Sequence, residues 1–195
     1  MNDRLFKKIC TLVGVCMIII AAFLPILQQW NIRKTEKNMK ESVQLIRSLI
    51  PESQSAVLEE RKDNKMAHLS LSGNDYIGIL EIPRYDSSLP VCAEWVDVTK
   101  SPCRYDGSIY DKTIKIGGTS QKGQYDFYRD ISVGDSVFFT DVEGCRYGYT
   151  VTDIRYERHA DQTSLNSKEA ALTLFIKNIY AFPQEHIVIF CNEQS

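Results

Sequence analysis

The 195-residue sequence carries almost no net charge: 23 lysines and arginines stand against 25 acids, for a formal charge of −2. A general basic surface for nucleic acid is thereby excluded. Six cysteines and three histidines are present, yet no CxxC pair and no compact Cys/His cluster occurs, so the ligand spacing of a zinc site is missing. There is no glycine-rich phosphate loop, no internal repeat and no low-complexity run. No cofactor is implied. Disorder throughout is excluded as well, because 10% of the residues are aromatic and can build a core. The length admits one ordinary domain plus an attachment.

What is present is unevenly distributed. Residues 1–74 hold 11 lysines and arginines against 7 acids, whereas 75–195 hold 12 against 18. A basic attachment therefore precedes an acidic domain. Residues 9–27, ICTLVGVCMIIIAAFLPIL, contain no charged side chain. As a helix they reach about 28 Å, close to the hydrocarbon thickness of roughly 30 Å. Gly14 and Pro25 are tolerated in such helices. A cleaved signal peptide begins with the same basic-then-apolar pattern, but the apolar run is longer than a signal core and no clear small-x-small site follows it. The preferred reading is a single-pass signal anchor at 9–27. It leaves 1–8 cytoplasmic and the C-terminal domain extracytoplasmic, although Arg33, Lys34, Lys37 and Lys40 dilute the positive-inside signal.

Trp30 suits a membrane interface. Beyond it, Met39, Val43, Ile46 and Ile50 fall at helical spacing, Pro51 stops that helix, and 52–74 is polar without a sustained period. Residues 28–74 read as a helical stalk and linker, in preference to a helix dedicated to a partner.

From Tyr76 onward short strands alternate with turns. The segments 76–82, 113–118, 135–141, 146–158, 171–177 and 186–191 are rich in β-formers. Turn material at 86–88, 106–107 and 143–144 separates them, and the Glu143-Gly144 pair reads as a hairpin turn. Helix is scarce, with one or two turns expected near 124–130 and a short one near 165–170. The domain at 75–195 is mainly β, closed or nearly closed as a barrel.

Several blocks, in order, resemble the sortases, the membrane-anchored cysteine transpeptidases of Gram-positive cell surfaces. They are GILEIP (78–83), LPVCAEW (89–95), SPCRYDGS (101–108), IKIGGTS (114–120), ISVGDSVFFTD (131–141) and ALTLFIK (171–177). The second and third are nearest to class B-like members. The resemblance implies an eight-stranded β-barrel behind an N-terminal signal anchor, at the cell membrane. It also implies catalytic positions. The IKIGGTS strand carries histidine in the family where this chain has Thr119. The LTLF strand ends on cysteine where this chain has Ile176 and Lys177. The family arginine falls at Gln184 or Glu185.

These replacements remove the family chemistry. Transpeptidation needs a thiolate that forms a thioester, which an amine then resolves. Attack by Lys177 would give an amide about as stable as the peptide it replaced. Thr119 has no group that titrates near neutrality. Gln184 can donate a hydrogen bond to an oxyanion but brings no positive charge. The expectation is a catalytically inactive sortase-like protein that binds a sorting-signal peptide or a surface-protein partner. The alternatives are an active cysteine transpeptidase with a displaced nucleophile, and a purely structural surface protein.

A displaced nucleophile has four domain cysteines to draw on: Cys92, Cys103, Cys145 and Cys191, with His159 and His186 as bases. His186 and Cys191 are five apart on a strand, so alternation sends them to opposite faces. Cys191 reads as a small core residue. Free or buried thiols are expected at all four, although three full disulfide pairings exist on paper. Cys10 and Cys16 lie in the apolar segment. Trp95 and the tyrosines between Tyr105 and Tyr156 read as packing rather than a ligand platform. His68 reads as a solvated linker residue. Asp126, Asp130, Asp135 and Asp141 read as turn and helix-end markers rather than calcium ligands.

Overall fold

Side-chain alternation organises the second half of the chain into strands. The computed structural model describes residues 3–51, 54–55, 65–158 and 170–194. Among the described residues one α-helix, α1 (Asp3–Leu49), is followed by ten strands, with a short 3-10 helix (Pro83–Tyr85) between the third and the fourth: β1 (Gln54–Ser55), β2 (Leu69–Leu71), β3 (Asn74–Ile82), β4 (Ser87–Cys92), β5 (Cys103–Asp106), β6 (Ile114–Thr119), β7 (Ser136–Asp141), β8 (Cys145–Glu157), β9 (Leu172–Asn178) and β10 (Glu185–Glu193). Eight of them close a ring in the order β3-β4-β5-β6-β9-β10-β8-β7 and back to β3. β1 adds to the outside of β8 and β2 to β3. The expected eight-stranded barrel is present.

Every second residue points inward. On β9 these are Leu172, Leu174 and Ile176, on β6 Ile114 and Ile116, and on β10 Ile187, Ile189 and Cys191, all within one continuous core. Branched and aromatic side chains suit this pleated, two-sided burial. The hairpin expected at 143–144 joins β7 to β8. Gly144 adopts φ +85° there, and Asp141 accepts from the Glu143 and Cys145 amides at 3.0 and 2.8 Å. Asp126 and Asp135 close turns in the same way, through Gly123 at 3.1 Å and Ser132 at 2.9 Å.

One expectation is corrected. Residues 122–130 form successive turns, not a helix. Tyr125 and Phe127 both enter the core, whereas a helix would send residues two apart to different sides. The helix expected near 165–170 lies outside the described residues except at Ala170, as does His159.

The segment expected as stalk and linker is divided. The chain forms two compact units, one running to Thr35 and the other beginning at Glu36. In the first unit α1 is long and apolar enough to cross a membrane, with its apolar side chains from Leu12 to Trp30 exposed. In the second, the residues expected to be a stalk belong to the barrel's packing: Met39, Val43 and Ile46 are buried. Val43 and Ile46 cover Tyr76, Ile79, Cys92 and Cys103 on the outer face of β3, β4 and β5. The stripe that read as a modest stalk face therefore has its partner in the same chain. Arg47 pins the end of α1, reaching Glu81 Oε1 at 2.5 Å and Ser88 Oγ at 2.9 Å, while Arg146 holds the other Glu81 oxygen at 3.3 Å. β2, inside the expected linker, pairs with β3.

The packing of α1 predicts a sharp contrast between neighbours. Ile46→Ala removes a fully buried side chain and should cost about 2–5 kcal/mol. Leu45→Ala, at a position 45% exposed, should stay within about 0.5 kcal/mol. Denaturant unfolding of the full chain in detergent micelles measures both; equal shifts would mean that α1 does not pack on the barrel.

Candidate functional site

β6 and β9 run parallel and in register from Ile114 opposite Leu172 to Thr119 opposite Lys177. β6 ends here and β9 one residue later, so the two residues singled out in the sequence lie side by side at one rim of the barrel. Alternation assigns their direction. Ile116 and Ile176 are in the core, so Gly117, Thr119, Phe175 and Lys177 belong to the outer face. β10 extends this face with His186, which pairs with Lys177 and stacks on Phe175 at 5.0 Å. Gln184, the third residue singled out, is exposed in the β9–β10 connection. The strand position falls instead to Glu185, opposite Asn178.

The rim is closed by hydrogen-bonding side chains, uncharged except for Glu185. The Gln124 side-chain oxygen accepts from the Thr119 amide and from Thr119 Oγ1 at 3.1 Å. Its nitrogen donates to the Val98 carbonyl at 3.0 Å. Gln121 Nε2 donates to the Thr99 carbonyl one residue further on. Two loops are thus tied together beneath Thr119. On the other side Ser120 Oγ donates to Asn178 Oδ1 at 3.3 Å and accepts from the Ile179 amide at 3.1 Å. Asn178 Nδ2 donates to Glu185 Oε2 at 3.0 Å. Thr119, Ser120, Gln124 and Asn178 are all essentially buried, as groups with satisfied hydrogen bonds can be.

Trp95 forms a roof over this shelf. A Cβ placed on Gly117 would lie 2.5 Å from the indole, so only glycine admits the ring at that spot. The indole meets Tyr105 edge-on at 5.2 Å, and both rings are 44% exposed. Next to them Lys115 Nζ lies 3.2 Å from Asp106 Oδ2. The Gly107 amide, followed by Lys115, holds the Asp106 carboxyl below its ordinary range. The exposed cation of the shelf is Lys177.

The cysteines sit elsewhere. Cys191 is in the barrel core, where burial pushes its thiol up. His186 lies on the opposite, outer side of β10, as alternation predicts. Cys145 is half-buried at the start of β8, and Cys92 and Cys103 lie under α1. Sequence reasoning located Thr119 and Lys177 but missed Gln124 and Asn178. The available signal was a polar pair, Thr119-Ser120 and Lys177-Asn178, ending each of two apolar strands.

The barrel domain is similar in fold to solved sortases. Sortase C1 from Streptococcus agalactiae matches with a TM-score of 0.53 at 19% identity, over 65% of this chain and 71% of that one. Sortase C from Clostridium perfringens SM101 matches with a TM-score of 0.52 at 12% identity, over 85% and 88%. For sortase C1 of GBS pilus island 1 the values are 0.52 and 12%, over 62% and 64%, so the chain spans just under two thirds of that protein. No family model matches the sequence, and neither does any curated protein. The chain has the sortase fold.

Gln124 is the strut of the rim. Gln124→Leu leaves the Thr119 donors and the Val98 carbonyl without their partner, at a cost of roughly 1–3 kcal/mol for each buried group orphaned. Amide hydrogen exchange at Thr119 should accelerate while the β7–β8 amides keep their protection. Unchanged exchange at Thr119 would show that the strut carries no weight.

Proposed function

We propose that this chain is a membrane-anchored, extracytoplasmic sortase-like protein of a Gram-positive cell surface that binds rather than catalyses. The carrying observation is the register of Thr119 against Lys177 at the end of β6 and β9, the two positions where the sortase resemblance implies histidine and cysteine. No thiol lies on the outer shelf among the described residues. The rim is held by hydrogen-bonded side chains, neutral except for Glu185, that already satisfy one another. The α1 segment supplies the anchor, with 9–27 in the bilayer, and the barrel domain stands on the outer side.

Binding is the chemistry the shelf retains. Trp95, Tyr105, Phe175 and the exposed Lys177 offer apolar contact and one positive charge to an extended peptide, either a sorting signal or the tail of a surface-protein partner. Aromatic rings supply large contact area there. Acyl transfer lacks its nucleophile, because Cys191 faces the core and the Lys177 amide product would not turn over.

The full chain in detergent should bind a sorting-signal peptide saturably and yield no product with an amine acceptor. Trp95→Ala should weaken binding by about tenfold, the scale of a truncated aromatic anchor. Amine-dependent turnover that disappears with one cysteine substitution would overturn the reading. Absence of affinity for any peptide of a sorting-signal panel would remove the peptide-binding role.

A reconstruction gives a second test. Thr119→His, Lys177→Cys and Glu185→Arg together, with Gln184→Arg as the alternative third change, should restore a mass adduct between the chain and a sorting peptide. A folded triple variant without any adduct in either form would show that the shelf no longer orients the peptide for attack.

A further inference from the structure

Cys92 and Cys103 face one another across the single bridge that joins β4 to β5. Paired strands lie about 4.8 Å apart, inside the roughly 4.4–6.8 Å Cα separation that disulfides require. In a parallel register both side chains project to one face, and both reach the cluster under Val43 and Ile46 of α1. Cys103 Sγ donates to the Ser101 carbonyl at 3.3 Å. Cys92 is pushed up by its partner thiol and by burial, while the same partner lowers Cys103. Cys191, inside the barrel, and Cys145, at the β7–β8 hairpin, belong to other surroundings.

We propose that Cys92 and Cys103 are a covalent cross-link site, closed into an intramolecular disulfide by exchange with an external disulfide before the end of α1 docks over them. The oxidant is a disulfide, carried by a thiol–disulfide oxidoreductase or a small molecule. The Cys103 thiolate attacks one of its sulfurs, giving a mixed disulfide and releasing one thiolate. Cys92 then loses its proton to solvent and attacks the Cys103 sulfur. The Cys92–Cys103 bond forms as the second thiolate departs. The pair gives up two protons and two electrons, and the external disulfide takes both electrons.

The ring so closed contains the loop that bears Trp95 and the Val98 and Thr99 carbonyls, the acceptors of the Gln124 and Gln121 side chains. The cross-link thus fastens one wall of the shelf to β5. Once α1 covers the pair, reductants are shut out by the same burial. The cross-link forms whether the shelf binds or catalyses.

The full chain, refolded in detergent with reduced and oxidised glutathione, is alkylated under denaturing conditions, digested and analysed by mass. The expected result is a Cys92–Cys103 linked peptide, with Cys145 and Cys191 alkylated. Refolding in excess reductant should instead lower Tm by roughly 6–12 °C, and Cys103→Ser should make Tm indifferent to reductant. Alkylation of both Cys92 and Cys103 after oxidative refolding, or their linkage to Cys145 or Cys191, would overturn the proposal. The mass measurement uses the natural sequence, so it decides even where the serine variant does not fold.

Discussion

The parallel pairing of β6 with β9 is the constraint on which the rest of the molecule depends. It joins two segments more than fifty residues apart in sequence and completes the ring that β7 and β8 begin from the other side. Parallel neighbours need a long crossover, and here that crossover is the β7–β8 hairpin itself, laid along the opposite wall. The in-register alignment also sets which side chains share the rim. A slip by one residue would exchange the core and outer faces of the strand, placing Ile176 on the shelf and Lys177 among the isoleucines and leucines. Burial of that ammonium without a partner would be costly. Core packing and the composition of the shelf are therefore enforced by the same register.

The barrel was legible in the sequence because inward positions repeat every second residue and the turns are marked by Gly144 and by aspartates that cap them. The rim was legible in part. Thr119 and Lys177 were reached through the sortase resemblance of the IKIGGTS and ALTLFIK blocks, which fixed their places at the ends of two apolar strands. Gln124 was not legible, because it acts from an irregular loop and its partners, Thr119 and Val98, come from separate segments. The same loop misled in another respect. One or two helical turns are expected near 124–130, yet Tyr125 and Phe127 are drawn into the core together and the backbone forms successive turns instead.

The docking of α1 was hidden for a different reason. A stripe of Met39, Val43 and Ile46 specifies only that something apolar covers it. The surface that does so is assembled from Tyr76, Ile79, Cys92 and Cys103 on three strands, and no linear pattern links them. Polar residues complete the match: Arg47 reaches Glu81, which Arg146 also holds. Half-exposed ion pairs of this kind contribute little to stability, but they select one seating of the helix among the several that an apolar stripe would permit.

Trp95 and Gly117 illustrate how tightly one surface feature restricts sequence drift. The indole occupies the space in which any side chain at 117 would have to sit. Substitution of the glycine alone would lift the ring from the shelf and loosen the loop that carries it. Loss of the tryptophan alone would bare a strip of glycine backbone at the rim. The two positions are thus coupled in descent: related chains should either keep both or change both, and a relative with a bulky residue at the Gly117 position should carry a small one in place of Trp95.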